Sequence, residues 1–530
     1  MKKSLLMTTT LVAAFSATNV CAEDWAISSK ETITDELISR DNVTVATDGN
    51  ITVSGNNSGI ISNGNFTMED GSLTASSNGG SADTGVFVRG ENSSVTIKNG
   101  TINLTEARIA KGEEDTDTTG DVNISGGKIT LNNQAYIEMY DTNTGSVNLS
   151  GGELNINDNS GILLDGANNF TMTGGTLTAT SNGNSADTGV FVKGDGADVN
   201  IQGGDINLTD SRIYKGNDTA TSGDINISGG NITLNKNAYI EMRKENTGNV
   251  NMTGGKLVMN ENSGLLLNTN DNQEIDGNAI KFIVNGDDAT IIANGNNQIS
   301  GDIDFTKGTI TVANGASLTS GDIAMNSENT KIDLSGKLDT NVSGSGNLCF
   351  KNSAANISGN VTGSNLTFEA DHSLSKAIGG TISNITALNV RKGTLTYDKD
   401  TGSIGNVSVA GGAGLDIGTN KLTATTVDFA DNSTLGLKVA SADNYGQINA
   451  NTINIGNDTT MKVTLDSGVV ANGETKDFNF LQGTVTGDFT NKIADNNRYD
   501  ISFEDGSFKI TGTASASDVV ADAGGSATNA

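Results

Sequence analysis

Proline is missing from all 530 residues, although ordinary usage near 5% would supply roughly 26. A fold of stacked internal strands accounts for that absence, because such strands spend every backbone N–H on a neighbour and proline has none to give. Aromatic residues are only 4% of the chain while glycine numbers 67. That composition argues against one large globular core, whereas a solenoid escapes the size limit because each repeat packs only on its neighbours. Cysteine is equally scarce: Cys21 lies in the N-terminal segment and Cys349 stands alone, so no intrachain disulfide is expected in the mature chain. His372 is the only histidine, and no Ser-His-Asp site assembles around Ala370, Asp371 and Ser373. It is expected to be a solvated loop residue. Beyond the N-terminal segment no run of about 18 apolar residues occurs, so no membrane helix is expected.

Positive charge is the last deficit. Lys and Arg total 32 against 62 Asp and Glu, a net charge of −30. Residues 1–22 carry Lys2 and Lys3, an apolar stretch from Leu5 to Phe15, and Val20-Cys21-Ala22 as a small-residue exit, the pattern of a secretory signal cleaved after Ala22. Its removal takes away two lysines and no acid, lowering the charge by two, to −32. Nucleic acid and anionic lipid are poor partners for such a chain. The charge serves instead to keep a sheet-rich rod from pairing with its copies.

What is present is a repeated phrase. An apolar-polar-apolar-polar tetrad, a turn ending in glycine and a second alternating tetrad begin at Phe66, Val95, Val122, Val147, Phe170, Val199, Ile225 and Val250, a spacing of 23 to 29 residues. A period of that length marks a solenoid. A larger duplication lies above it, with Phe66 recurring as Phe170 at an offset of 104 and Ala135 to Met139 recurring as Ala238 to Met242 at 103. Alternation of period two predicts strands with one buried face. Gly126–Gly127 and Asn99–Gly100 would also suit an antiparallel hairpin, but a third apolar stretch follows each pair, at Val86 to Arg89, Arg108 to Lys111, Tyr136 to Met139 and Ile162 to Asp165. Three strands and three corners in about 25 residues predict one coil of a parallel β-helix, right-handed as parallel crossovers are. About 19 coils between residues ~40 and ~510 would make a rod near ~90 Å long. The expected organisation is a signal segment 1–22, a regular β-helix 23–277 containing the duplication, an irregular β-helix 278–510, and an Ala/Gly/Ser linker 511–530. Phe489, Tyr499, Phe503 and Phe508 fall close together and are expected to form the C-terminal cap that an open solenoid end requires.

Stacking the repeats into columns tests for chemistry. Glycoside hydrolysis needs two carboxylates about 5–9.5 Å apart, yet the outward columns of the first two strands run mostly through Asn, Thr and Ser and never place acids on neighbouring coils. No catalysis, cofactor or metal site is expected. Gly411-Gly412-Ala413-Gly414-Leu415-Asp416 reads as a glycine-rich corner rather than a calcium nonapeptide, since it occurs once. Lys193-Gly194-Asp195, whose counterpart is Arg89-Gly90-Glu91, reads as a corner that demands glycine. The third strand is less polar. With Phe87, Ile109, Ile137 and Leu163 inward, the outward columns would be Val86, Arg108, Tyr136, Ile162 and Val88, Ala110, Glu138, Leu164, repeated by Val190, Arg212, Tyr239, Leu265 and Val192, Tyr214, Glu241, Leu267. An exposed stripe of this kind can mark a binding surface, and Arg108, Tyr136, Glu138, Arg212, Tyr239 and Glu241 are its candidate partner-binding residues.

The exported N-terminus, the Gly/Asn/Thr-rich coils, Asn444-Tyr445-Gly446-Gln447-Ile448 leading into Ile453 to Ile455, and Tyr499 to Ile510 before a small-residue linker together resemble the passenger region of a bacterial autotransporter. The resemblance covers nearly all of the mature chain as a style of sequence, without a catalytic signature. It implies export through the periplasm, passage through a C-terminal β-barrel and display at the cell surface as an adhesin-like protein meeting a cell-surface or glycan partner. No run of amphipathic membrane strands follows the linker, so the translocating barrel is expected in a longer chain. The alternatives are a β-helical carbohydrate-active enzyme, lyase or glycoside hydrolase, and a passive surface spacer.

Overall fold

The computed structural model describes residues 23–513 except 78–82, 114–115, 183–186, 271–273, 277–278, 496–497 and 505–506. The signal-like segment and residues 514–530 of the expected linker lie outside the described residues. The chain forms the β-helix that its alternation predicts. Trp25–Ile27, Lys30–Thr34 and Leu37–Arg40 make the first coil, and each pairs in parallel with its counterpart in the second, Val43–Val45, Asn50–Ser54 and Gly59–Ser62. The repeat is therefore not a hairpin. On the third face fourteen strands run in one parallel sheet from Leu37–Arg40 to Asn356–Ile357, and six more continue that face from His372–Ser373 to Asn491–Ala494, one to a coil. The first and second faces merge into a single 34-stranded sheet, because Phe282–Ala293 and Ile303–Val312 run through the corner between them as unbroken strands.

The core is a set of columns. Phe66, Val95, Val122, Val147 and Phe170 stack in register at the head of successive coils and are fully buried. Each such side chain contributes about 1.5–3 kcal/mol of transfer energy before the opposing chain entropy. Glycine is required where the phrase turns: Gly127, Gly152, Gly175 and Gly230 all take φ +78°, and a Cβ at Gly127 would lie 2.7 Å from the carbonyl oxygen of Gly100 in the coil before.

At the corner before the first strand the chain uses side chains to close the ladder. Asp121 Oδ1 accepts the backbone N–H of Ser146 at 2.8 Å, and Asn169, Asp198 and Asp224 accept those of Asp198, Asp224 and Asn249, each at 2.7 Å. Each Asx thus satisfies a main-chain donor that the bend would otherwise leave unpaired. Between Phe282 and Phe429 the phrase loosens because the coils shorten, and they lengthen again beyond, Val427 pairing with Ile453 and Ile453 with Val485. Ile303, Ile323, Val342, Val361 and Ile382 remain partners in one column at spacings of 19 to 21 residues.

The C-terminal end departs from the solenoid. Thr475–Phe478, Ser507–Gly512 and Tyr499–Glu504 form a three-stranded antiparallel sheet. Phe478 and Phe480 stack at 5.7 Å, Tyr445 meets both edge-on, and Phe508 packs 5.4 Å from Phe480. The four aromatics expected as one cluster divide: Phe489 is buried against Phe429, Tyr499 is half-buried, and Phe503 rests on Phe508 while staying 41% exposed. His372 also corrects its expectation. It is buried, with Nε2 2.8 Å from the carbonyl oxygen of Ala355, to which it donates, and Nδ1 accepting the Ser373 N–H at 2.9 Å. Its ring packs edge-on against Phe350 and Phe368. A single polar ring among Ala, Asp and Ser carried no inward signal, and the two backbone partners that make its burial affordable come from the fold.

Candidate functional site on the third face

The register of the third strand decides which side chains face outward. Arg108 pairs with Gly85 on one side and Tyr136 on the other, and Tyr136 with Gly161. In coils whose third strand opens with glycine, the apolar residue after it points inward. Val86, Ile162, Val190 and Leu265 are fully buried beside Ile109, Ile137, Ile213 and Ile240, and Val88, Leu164, Val192 and Leu267 occupy the second inward column. This shifts half of the expected stripe by one residue. Phe87, Leu163, Phe191 and Leu266 point outward instead, in register with Ala110, Glu138, Tyr214 and Glu241. A run such as Val-Phe-Val or Ile-Leu-Leu is apolar at every position, so alternation could not choose its buried face; the partner coil does.

Arg108, Tyr136 and Glu138 come together, as do Arg212, Tyr239 and Glu241. Arg108 Nη1 donates to Glu138 Oε2 at 2.5 Å, and Arg212 Nη1 to Glu241 Oε2 at 2.5 Å, each across adjacent coils. The second pair is the more enclosed, with Glu241 1% exposed and its Oε1 accepting from the Thr269 hydroxyl at 2.9 Å. The Tyr136 hydroxyl donates to the Asn159 carbonyl at 2.8 Å, and that of Tyr239 to Asn262 at 2.9 Å, so each ring ties its coil to the next. Burial pushes the Glu138 carboxyl upward against the pull of Arg108, and burial likewise raises the phenols of Tyr136 and Tyr239. The two clusters stand four coils apart, roughly 19 Å along the axis. Around them the outward surface is partly aromatic, with Arg89 over Phe87 at 6.0 Å and Arg243 over Tyr214 at 5.9 Å.

Sequence reasoning missed the residues directly behind this face. Lys111 and Lys215 are fully buried in the second inward column, paired with Val88 and Met139 and with Val192 and Met242. Their ammonium groups donate to the carbonyls of Gly90 at 3.3 Å and Gly194 at 3.0 Å, and burial lowers both to a pKa of about 8. The signal was available, since each lysine stands two positions after an inward isoleucine. Gly90 and Gly194, the centres of the charged corner tripeptides, owe their identity to crowding: an added Cβ would lie 1.9 Å from the Asn63 oxygen and 1.6 Å from the Gly166 oxygen.

The shorter coils stack in columns as well. Asp333, Cys349 and Thr367 are successive partners on the second face, and Lys351 bridges Asp333 at 3.5 Å to Glu369 at 3.0 Å, two coils away. Burial raises the Cys349 thiol, which makes it a poor nucleophile. Among the described residues no three His, Cys, Asp or Glu side chains converge as a metal site would need, and no helix is long and apolar enough to cross a membrane. Compared with known proteins, the chain matches no family model and no curated sequence at significant similarity.

Proposed function

We propose that this chain is an autotransporter-like passenger, exported and held at the bacterial surface, which engages a cell-surface or glycan partner through its third face and performs no catalysis of its own. The observation that carries this reading is the half-buried outward stripe of Tyr136, Leu163, Phe191, Tyr214, Tyr239 and Leu266, which two enclosed Arg–Glu pairs hold in place. The same outward combination, Tyr136 with Leu163 and Tyr239 with Leu266, recurs along a rigid rod, in the arrangement that raises avidity for a repeating partner. The first two faces support the reading from the other side: their outward columns hold mostly amides, hydroxyls and ion pairs such as Lys98–Glu69 and Lys128–Glu153, and the stacked acids Asp198 and Asp224 at the corner are taken up by backbone N–H groups. The test is cell attachment by the double variant Leu163→Lys, Leu266→Lys, which alters one outward position beside each cluster. Attachment is expected to fall to background while the circular-dichroism melt stays unchanged. Intact attachment would sink the reading.

A further inference from the structure

The second face carries a surface that this reading does not use. Its middle outward column runs in register through nine coils, from Thr32 by way of Thr74, Asn103, Thr130 and Thr178 to Thr233, and holds only Thr and Asn. The next outward column, from Thr34 to Asn235, holds only Thr, Ser and Asn. No position in either is charged or buried, in a chain of net charge −30. The columns differ in how their polar groups are spent. In the outer one Asn157 donates to Asn132 at 2.9 Å and Asn260 to Asn235 at 2.7 Å, and the first face is self-paired in the same way, Asn148 to Asn123 at 3.0 Å. In the middle column the side chains of Thr74, Asn103, Thr130, Thr178, Asn207 and Thr233 make no hydrogen bond to the rest of the described protein.

The result is a flat strip about 38 Å long, with groups every ~4.8 Å along the axis and about 6.6 Å between columns. Each group on its ridge both donates and accepts. A polyanion would be repelled by the field of the chain, and an apolar surface would find nothing to bury. A neutral polymer bearing hydroxyls at regular intervals would exchange water for reciprocal hydrogen bonds without any charge having to be desolvated. We infer that the second face from Thr32 to Thr233 binds an extended, neutral, hydroxyl-rich polysaccharide lying parallel to the solenoid axis. This surface is independent of the third face.

The experiment is retention of the full chain on an immobilised neutral linear β-glucan, with a polyanionic polysaccharide as the comparison. Wild type is expected to be retained on the glucan alone. The pair Thr130→Lys, Thr178→Lys should weaken retention at least about tenfold by leaving unpaired charges against the polymer, whereas Thr130→Ser, Thr178→Ser should keep it. The third-face pair Leu163→Lys, Leu266→Lys should bind glucan as wild type does. Absence of wild-type retention, equal retention on the polyanion, or full retention of the lysine pair would each overturn the inference. Should the lysine pair melt early, the single near-isosteric Asn103→Asp reads the same question.

Discussion

Single residues matter here mainly where charge enters the interior. Lys111 and Lys215 hold a pKa of about 8 because burial disfavours the ammonium, against an ordinary 10.5. Between those values the unfolded chain binds protons that the folded chain does not, so stability rises with pH through the window and the full penalty applies below about 8. The denaturation midpoint of wild type is expected to increase between about pH 8 and 9.5, before the tyrosines intervene, and this slope should flatten in Lys111→Met, Lys215→Met. The double variant should also be the more stable protein at pH 7, since methionine fits the column without desolvating a charge. The Arg–Glu pairs give the opposite sign. Arg212→Met strands Glu241 inside the cluster and should cost about 3–5 kcal/mol in thermal or denaturant unfolding, much of it recovered in Arg212→Met, Glu241→Gln. The inward position of the lysines follows from alternation with Ile109 and Ile213, whereas the enclosure of the Arg–Glu pairs does not show in the sequence. Glu138 and Glu241 stand at outward positions and are nonetheless covered by their neighbours.

Among the elements, the corner before the first strand is the most economical device. Asp224 is half-buried and accepts the Asn249 N–H, and its charge also favours the buried Lys215 ammonium. Replacing it with alanine should cost about 1–3 kcal/mol, the usual penalty for a donor left unpaired. Hydrogen exchange should localise the loss, with the Asn249 amide and its coil opening faster than coils further along the rod. The first two strands of each coil were legible from their pattern, since Val-Asn-Ile or Ile-Thr-Leu has one apolar and one polar side. Third strands were legible only where a charged residue broke the apolar run, as in Arg108–Lys111 and Tyr136–Met139. Where the run opened with Gly85 or Gly161 the buried face was chosen by the neighbouring coil, and the expected stripe was misplaced by one residue.

For the whole molecule the solenoid makes stability nearly a sum of coil and interface terms, and the duplication makes that testable by excision. Joining Ser94 directly to Val199 removes four complete coils and recreates at the junction the stacking that Phe170 makes with Val199 and Gly189 with Arg212, because Phe66 and Gly85 stand in for Phe170 and Gly189. The shortened chain should keep a cooperative melt and a sheet spectrum. Truncation after Leu465, which deletes the antiparallel sheet at the end, should instead leave Gln447–Ile455 and Thr460–Leu465 as open edges and produce aggregation measurable by light scattering. By itself the sequence determined the solenoid, its coil length in the first half, the glycine corners and the polar ladders of two faces, because those follow from alternation and backbone chirality within a single repeat. Tertiary structure alone decided the outward face of the glycine-led third strands, the burial of His372, the enclosure of the two Arg–Glu pairs, and the regularity of the shorter coils. Each of these depends on which residue of the adjacent coil supplies the hydrogen bond or the wall, and that partner lies about twenty to thirty residues away along a chain whose local pattern is silent about it.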